Sequence, residues 1–209
     1  MQVHFADVNV VKFVTIDALE VALWKKFGEC FGNDDHAKLL ALVVLSRANR
    51  RDDILSPQAK VSANYASPMT AKARARAQGY DEIILVDEDG NLAEGPTTNL
   101  FIVDDKGELL TPASEKVLHG VTRSSIIELA KAEGIPFREA PIKAANLLAA
   151  SEAFMTGTTA GVWCIESVDG TEIGSVCPGP ISMQLRDRFL RVSEGEDPEF
   201  EHWLTRIED

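Results

Sequence analysis

Ile83-Ile84-Leu85-Val86 and Leu100-Phe101-Ile102-Val103 are apolar runs of four, each followed by a turn cluster, Asp87-Glu88-Asp89-Gly90-Asn91 and Asp104-Asp105-Lys106-Gly107. Runs this short, bounded by Asp, Asn and Gly, read as strands closed by turns. Consecutive hairpins imply an antiparallel or mixed sheet and argue against a doubly wound parallel core. The segment between the runs, Ala93-Glu94-Gly95-Pro96-Thr97-Thr98-Asn99, places one carboxylate at a turn.

Upstream, the Leu/Val run over 39–46 reads as a buried strand, and 8–14 as another. Asp17 is a candidate cap for a helix over 17–27 with an apolar stripe, closed by Gly28. Ser67-Pro68 predicts a helix start, with Ser as N-cap and Pro at the first helical position, and Gly79 as its stop. Downstream, Thr122 is the expected N-cap of a helix over 124–133. A short helix over 143–150, strands over 153–156 and 162–168, and a helix over 181–192 follow. The acidic tail from Ser193, with Trp203 near its end, is frayed or docked.

The chain has 209 residues, 45% hydrophobic and 26% charged, which is ordinary globular composition. A net charge of −12 argues against nucleic-acid backbones and anionic membranes as partners. Cys30, Cys164 and Cys177 are odd in number and form no C-x-x-C pair, so they are expected to be reduced thiols in a cytoplasmic protein. The four histidines show no metal spacing. Arg47, Arg50 and Arg51 form a basic cluster, read first as a solvated loop.

Gln58-Ala59-Lys60-Val61-Ser62-Ala63-Asn64-Tyr65 and Glu94-Gly95-Pro96-Thr97-Thr98-Asn99-Leu100-Phe101 carry a lysine and a glutamate on different elements. Read alone, Lys60 is a solvated loop residue and Glu94 a turn residue. Two further motifs follow: His119-Gly120-Val121-Thr122-Arg123, and Met155-Thr156-Gly157-Thr158-Thr159-Ala160. In this order the four resemble the fold-type IV pyridoxal-phosphate enzymes, which include branched-chain, D-amino-acid and R-amine transaminases and aminodeoxychorismate lyases. The resemblance covers roughly residues 40–190.

The resemblance implies an α+β fold with a mixed, largely antiparallel sheet or barrel-like core flanked by helices. Residues 39–192 would be the cofactor-binding large domain, 1–38 would stand in place of the family's small domain, and 193–209 would be an acidic tail. Lys60 would hold pyridoxal 5′-phosphate as a Schiff base and move the proton during catalysis. Glu94 would face the pyridine nitrogen and keep the ring protonated. Tyr65 would lie near the phenolic oxygen. Val121, Thr122 and Thr158 would bind the phosphate, helped by a helix N-terminus. The backbone of Thr159 and Ala160 would receive a substrate carboxylate.

The implied reaction is transamination between a small amino donor and a keto acceptor, carried out by a homodimer. A lyase acting on aminodeoxychorismate and a non-catalytic module that keeps the fold are the alternatives. A Lys60–Glu94–Thr158 pocket separates the enzyme readings from the last. Gly161 and Cys164 depart from the family's usual residues, and none of the three arginines is matched to the phosphate.

Overall fold

One carboxylate builds the first turn. Asp87 Oδ1 accepts the backbone N–H groups of Asp89 and Asn91, at 3.0 and 2.7 Å. Gly90, at φ +73°, completes the reversal with a conformation that other residues resist. Asp104 repeats the device on Lys106 and Glu108, both at 2.9 Å. The Asp-rich clusters are therefore turns because their side chains satisfy backbone donors that no strand pairs.

The computed structural model describes Phe13–Val14, Leu39–Ala48 and residues 55–205. In chain order the strands are β1 (Phe13–Val14), β2 (Leu39–Ala48), β3 (Glu82–Val86), β4 (Asn99–Val103), β5 (Leu109–Thr111), β6 (Phe137–Glu139), β7 (Glu152–Gly157), β8 (Gly161–Val168), β9 (Thr171–Glu172) and β10 (Leu204–Thr205). The helices are α1 (Ala63–Ala77), α2 (Val121–Ala132), α3 (Ala144–Leu148) and α4 (Pro180–Glu194). The expected helix over 17–27, most of the strand over 8–14, Cys30, Arg50 and Arg51 lie outside the described residues.

Eight strands form one sheet in the order β3-β2-β8-β7-β4-β5-β6, with β9 pairing β8. The β4–β5, β4–β7, β7–β8 and β8–β9 pairings are antiparallel. The β2–β3, β2–β8 and β5–β6 pairings are parallel. The expected α+β class with a mixed sheet is borne out. Strands β3, β4 and β5 are buried at every position, which is why they read as unbroken apolar runs rather than alternating ones.

The two sheet faces carry different cores. Ile84, Leu100, Ile102, Met155 and Ile165 gather on one. On the other, Phe101 and Phe154 stack at 5.1 Å between ring centroids, and α2 packs over β7. Such an aromatic pair contributes about 0.5–1.5 kcal/mol beyond its buried area. At the sheet edge, Ala75 of α1 packs with Ile83 and Leu85, and Lys72 pairs with the buried Glu82.

Two helices start earlier than their sequence signals. Helix α1 begins at Ala63, and Pro68 sits inside it. The turn before it is already wound, with Asn64 N bonded to Val61 O and Tyr65 N to Ser62 O. Helix α2 begins at Val121 with Gly120 as its cap residue, so Thr122 lies in the first turn and does not cap it. Burial explains this: Thr122 is 4% exposed and packs as part of the helix.

Contacts divide the chain into two compact units, Ala37–Arg186 and a second drawn from Met1–His36 with Asp187–Asp209. In the second, β1 pairs β10 in parallel. Phe200 and Trp203 are buried and meet edge to face at 4.5 Å. Residues 198–205 of the tail are thus docked rather than frayed.

Candidate active site

Glu94 arrives at its position through backbone pairing. Leu85 N donates to Glu94 O and Ala93 N to Leu85 O, both at 2.8 Å, which lays the 92–94 segment along β3. Gly95 N then donates to Thr98 O at 2.7 Å, turning the chain into β4. The turn is tight, because a Cβ on Gly95 would overlap the Thr98 hydroxyl.

The Glu94 side chain is 3% exposed. Its Oε2 accepts from Asn99 Nδ2 at 3.0 Å and from Leu118 N at 3.1 Å. Asn99 Nδ2 also donates to Leu118 O at 2.9 Å. Glu94, Asn99 and Leu118 thus close a triangle of hydrogen bonds. A buried carboxylate needs such donors, because removing it from water is otherwise costly.

Leu118 leads directly into α2. Gly120 N donates to Leu118 O at 2.8 Å, and Ser124 N makes the first helical bond to Gly120 O at 3.0 Å. The N–H groups at a helix start have no intrahelical partner and sit at the positive end of the dipole. Those of Val121 and Thr122 belong to this set. A Cβ on Gly120 would overlap Asn99 Oδ1, so the helix start and the Glu94 triangle are packed together.

The second turn of interest lies between β7 and β8, whose registers pair Gly157 with Gly161. Thr158 and Thr159 are exposed on it and Ala160 is half-buried. A Cβ on Gly157 would lie 3.1 Å from Thr97 O and 3.3 Å from Thr98 Cγ2, which sets this turn against the one carrying Glu94. Gly161 holds φ +56°, a left-handed conformation that accounts for glycine at that position. Beneath the turn, Thr156 faces Asn99 across the β4–β7 ladder. Its Oγ1 is buried and finds no hydrogen-bond partner among the described residues.

Lys60 is exposed in the loop before α1, and Tyr65 is half-buried in the first turns of α1. Burial therefore does not supply the desolvation expected of a nucleophilic lysine. The loop reaches the cluster through Gln58, whose Nε2 donates to Ser114 O at 3.2 Å and lies 3.3 Å from His119 Nε2. Of the described cysteines, Cys164 is buried and Cys177 half-buried. Burial pushes the Cys164 thiol up. Burial first, then the negative fields of Cys164, Glu166 and Glu152, push Cys177 up to about 11.

Sequence reasoning missed Asn99, Gln58 and Arg123. Asn99 carries a signal, since asparagine is disfavoured in strands and here opens one. Arg123 is 4% exposed, and its Nη2 donates to Pro112 O at 3.1 Å and Glu139 Oε1 at 2.9 Å. Nothing in the local pattern marks it as buried.

Comparison with known proteins identifies the family. The family model described as "Amino-transferase class IV" matches residues 29–168. A protein of Aquifex aeolicus named "Probable branched-chain-amino-acid aminotransferase" is 32% identical over 99% of this chain and 66% of its own length. The branched-chain-amino-acid aminotransferase of Escherichia coli is 38% identical over 71% of this chain and 48% of its own. The chain thus spans between about half and two thirds of these relatives. The crystal structure of a T.th. branched-chain amino acid aminotransferase, complexed with N-(5′-phosphopyridoxyl)-L-glutamate, superposes with a TM-score of 0.77 at 37% identity, over 81% of this chain and 56% of that one. The Thermobaculum terrenum enzyme in its PLP-form gives 0.78 at 32% identity, with the same coverage of each chain. The chain belongs to the class IV amino-transferase family.

Proposed function

We propose that the chain takes part in pyridoxal-phosphate-dependent transamination between a branched-chain amino acid and a keto acid, through a Schiff base on Lys60. The observation that carries this reading is the buried Glu94 carboxylate, bonded to the residue that leads into the α2 N-terminus. One turn of chain thereby joins an anion suited to a pyridinium with a helix start suited to a phosphate.

The residues fit such a group. A side chain at Gly120 would overlap Asn99, one at Gly157 would crowd Thr97 O at 3.1 Å, and the Thr156 hydroxyl is buried beside them. Val121 and Thr122 would hold the phosphate through their N–H groups, and Thr158 through its hydroxyl. Glu94 would hold the ring nitrogen in its protonated form, with Asn99 fixing the carboxylate's orientation. Tyr65 would stand by the phenolic oxygen. When bound, pyridoxal phosphate supplies an aldehyde that condenses with amines and a cationic ring that takes up negative charge from the α-carbon. Lys60 would remove and return the proton at that carbon. The backbone of Thr159 and Ala160 would orient a substrate carboxylate.

Residues 39–192 form the cofactor-binding part in this reading, with 1–38 in the small domain's place and 193–209 as the tail. The homodimer and the cytoplasmic setting belong to the same proposal. The branched-chain aminotransferases among the relatives favour transamination over the lyase and non-catalytic alternatives.

The test is the visible spectrum with added pyridoxal phosphate, followed by borohydride reduction and peptide mass mapping. A yellow species reduced to a fixed adduct on Lys60, absent in Lys60→Ala, is expected. A folded protein with no Lys60 adduct would overturn the reading. Turnover is then assayed with leucine, isoleucine or valine as donor.

A further inference from the structure

The Lys60 loop is braced internally. Ala59 N donates to Ser56 O at 3.1 Å. Asn64 Nδ2, from α1, donates to Ser56 O at 3.0 Å and Ala59 O at 2.8 Å. The loop therefore moves as a piece with the start of α1. Among the described residues, Gln58 carries bonds from the loop to the segment that enters α2.

That landing point is the carbonyl of Ser114. Gln58 Nε2 donates to it at 3.2 Å, and His119, in its Nε2–H form, donates at 2.9 Å. A carbonyl oxygen has two lone pairs, so both donors are accommodated. Ser114 is itself fixed: its N–H donates to Glu139 Oε2 at 2.8 Å, and Glu139 Oε1 accepts from the buried Arg123 of α2. A continuous line of bonds thus runs from the first turn of α2, through Glu139 and Ser114, to the loop that carries Lys60. His119 adjoins Gly120, the cap residue of α2.

We propose that Gln58 and His119, meeting on the Ser114 carbonyl, are positioning residues that set the Lys60 loop at a fixed offset from the α2 N-terminus. The inference rests on the reading of Lys60 as the cofactor-binding amine. Its physical content is alignment. An aldehyde anchored by a phosphate at α2 meets Lys60 at high effective concentration only while the two segments hold their spacing. An aldehyde without a phosphate gains nothing from that spacing. Both residues are exposed, so their bonds contribute little to the core and their role is read in reactivity.

The experiment compares the rates at which pyridoxal phosphate and pyridoxal label Lys60, trapped by borohydride and quantified by peptide mass spectrometry. The proteins are wild type, Gln58→Leu, His119→Leu and His119→Gln, with thermal unfolding midpoints measured alongside. Wild type is expected to prefer the phosphorylated aldehyde. Each leucine variant lowers that preference about two- to tenfold, the range set by one net hydrogen bond. The loss comes from slower labelling by pyridoxal phosphate, with pyridoxal unchanged. His119→Gln restores the preference, because its amide also carries a donor to the Ser114 carbonyl.

An unchanged preference in Gln58→Leu and His119→Leu overturns the inference. So does an equal fall in both rates, which would mark a role in folding alone. Should a leucine variant not fold, Gln58→Glu keeps the size and sets an acceptor against the carbonyl. It must lower the preference, and no change there is equally decisive. Absence of any Lys60 adduct in folded wild-type protein would overturn the Lys60 reading itself, and the positioning role with it.

Discussion

Asn99 holds the position on which most of the site geometry depends. Its amide bonds Glu94 and Leu118 together, and its Oδ1 side fills the space that Gly120 leaves open. Asn99→Ala removes a donor from a buried carboxylate and an acceptor's partner at Leu118. The expected cost is about 1–3 kcal/mol, the range for buried polar groups left without a bond. For a chain of this size that lowers the unfolding midpoint by roughly 2–4 °C per kcal/mol. Binding of pyridoxal phosphate should weaken as well, because Glu94 loses its fixed orientation. Scanning calorimetry with and without pyridoxal phosphate checks both. An unchanged midpoint would mean that the triangle contributes nothing net.

At the scale of elements, the junction of β6 with α2 depends on an ion pair whose pH response follows from its geometry. Burial raises the Glu139 carboxyl, but the Arg123 guanidinium and the Ser114 N–H outweigh it and hold the group below its ordinary 4.5. A carboxyl lowered on folding contributes stability that is fully present above 4.5 and is lost as pH falls through the lowered value. Glu139→Gln should therefore be less stable than wild type near neutrality, by about 0.5–1 kcal/mol for a partly exposed pair. The two stability curves should converge in acid. Urea unfolding from pH 3 to pH 8 measures the gap, and a gap that widens in acid would reverse the sign.

The same elements show what local sequence carries. The strands around Ile84 and Phe101 were legible because four apolar residues between Asp-Gly turns admit few alternatives. The turn at Asp87 was legible for the same reason. The start of α1 was not, because Ser67-Pro68 is a strong local start signal and the preceding turn is wound by Asn64 and its own backbone bonds. The cap assignment at Thr122 failed because its side chain is buried in the helix. In the site, Glu94 and the α2 start could be found from their motifs. Asn99 reaches Leu118, and Gln58 reaches Ser114 and His119, across long stretches of chain, and no periodicity encodes those contacts.

The whole molecule combines two units of different build. In Ala37–Arg186, β3, β4 and β5 are buried on both faces, and α4 starts there under the buried Glu152, which accepts from Ile181 N at 2.9 Å and Ser182 N at 2.7 Å. In the other unit the end of α4 supplies Arg188, 8% exposed, whose Nε donates to Asp197 Oδ2 at 3.0 Å. Its guanidinium also lies 5.0 Å from the centre of the Phe200 ring. Asp197 is 9% exposed, so Arg188→Met strands a buried carboxylate and should cost about 3–5 kcal/mol. Arg188→Lys keeps the charge but loses the planar fork, and should fall between. If the two units open separately, hydrogen exchange in Arg188→Met should speed up at 198–205 while the amides of β4 and β7 keep their protection. Equal acceleration everywhere would mean that the chain unfolds as a single cooperative body, in which the tail stabilises the Glu94 site through the global equilibrium.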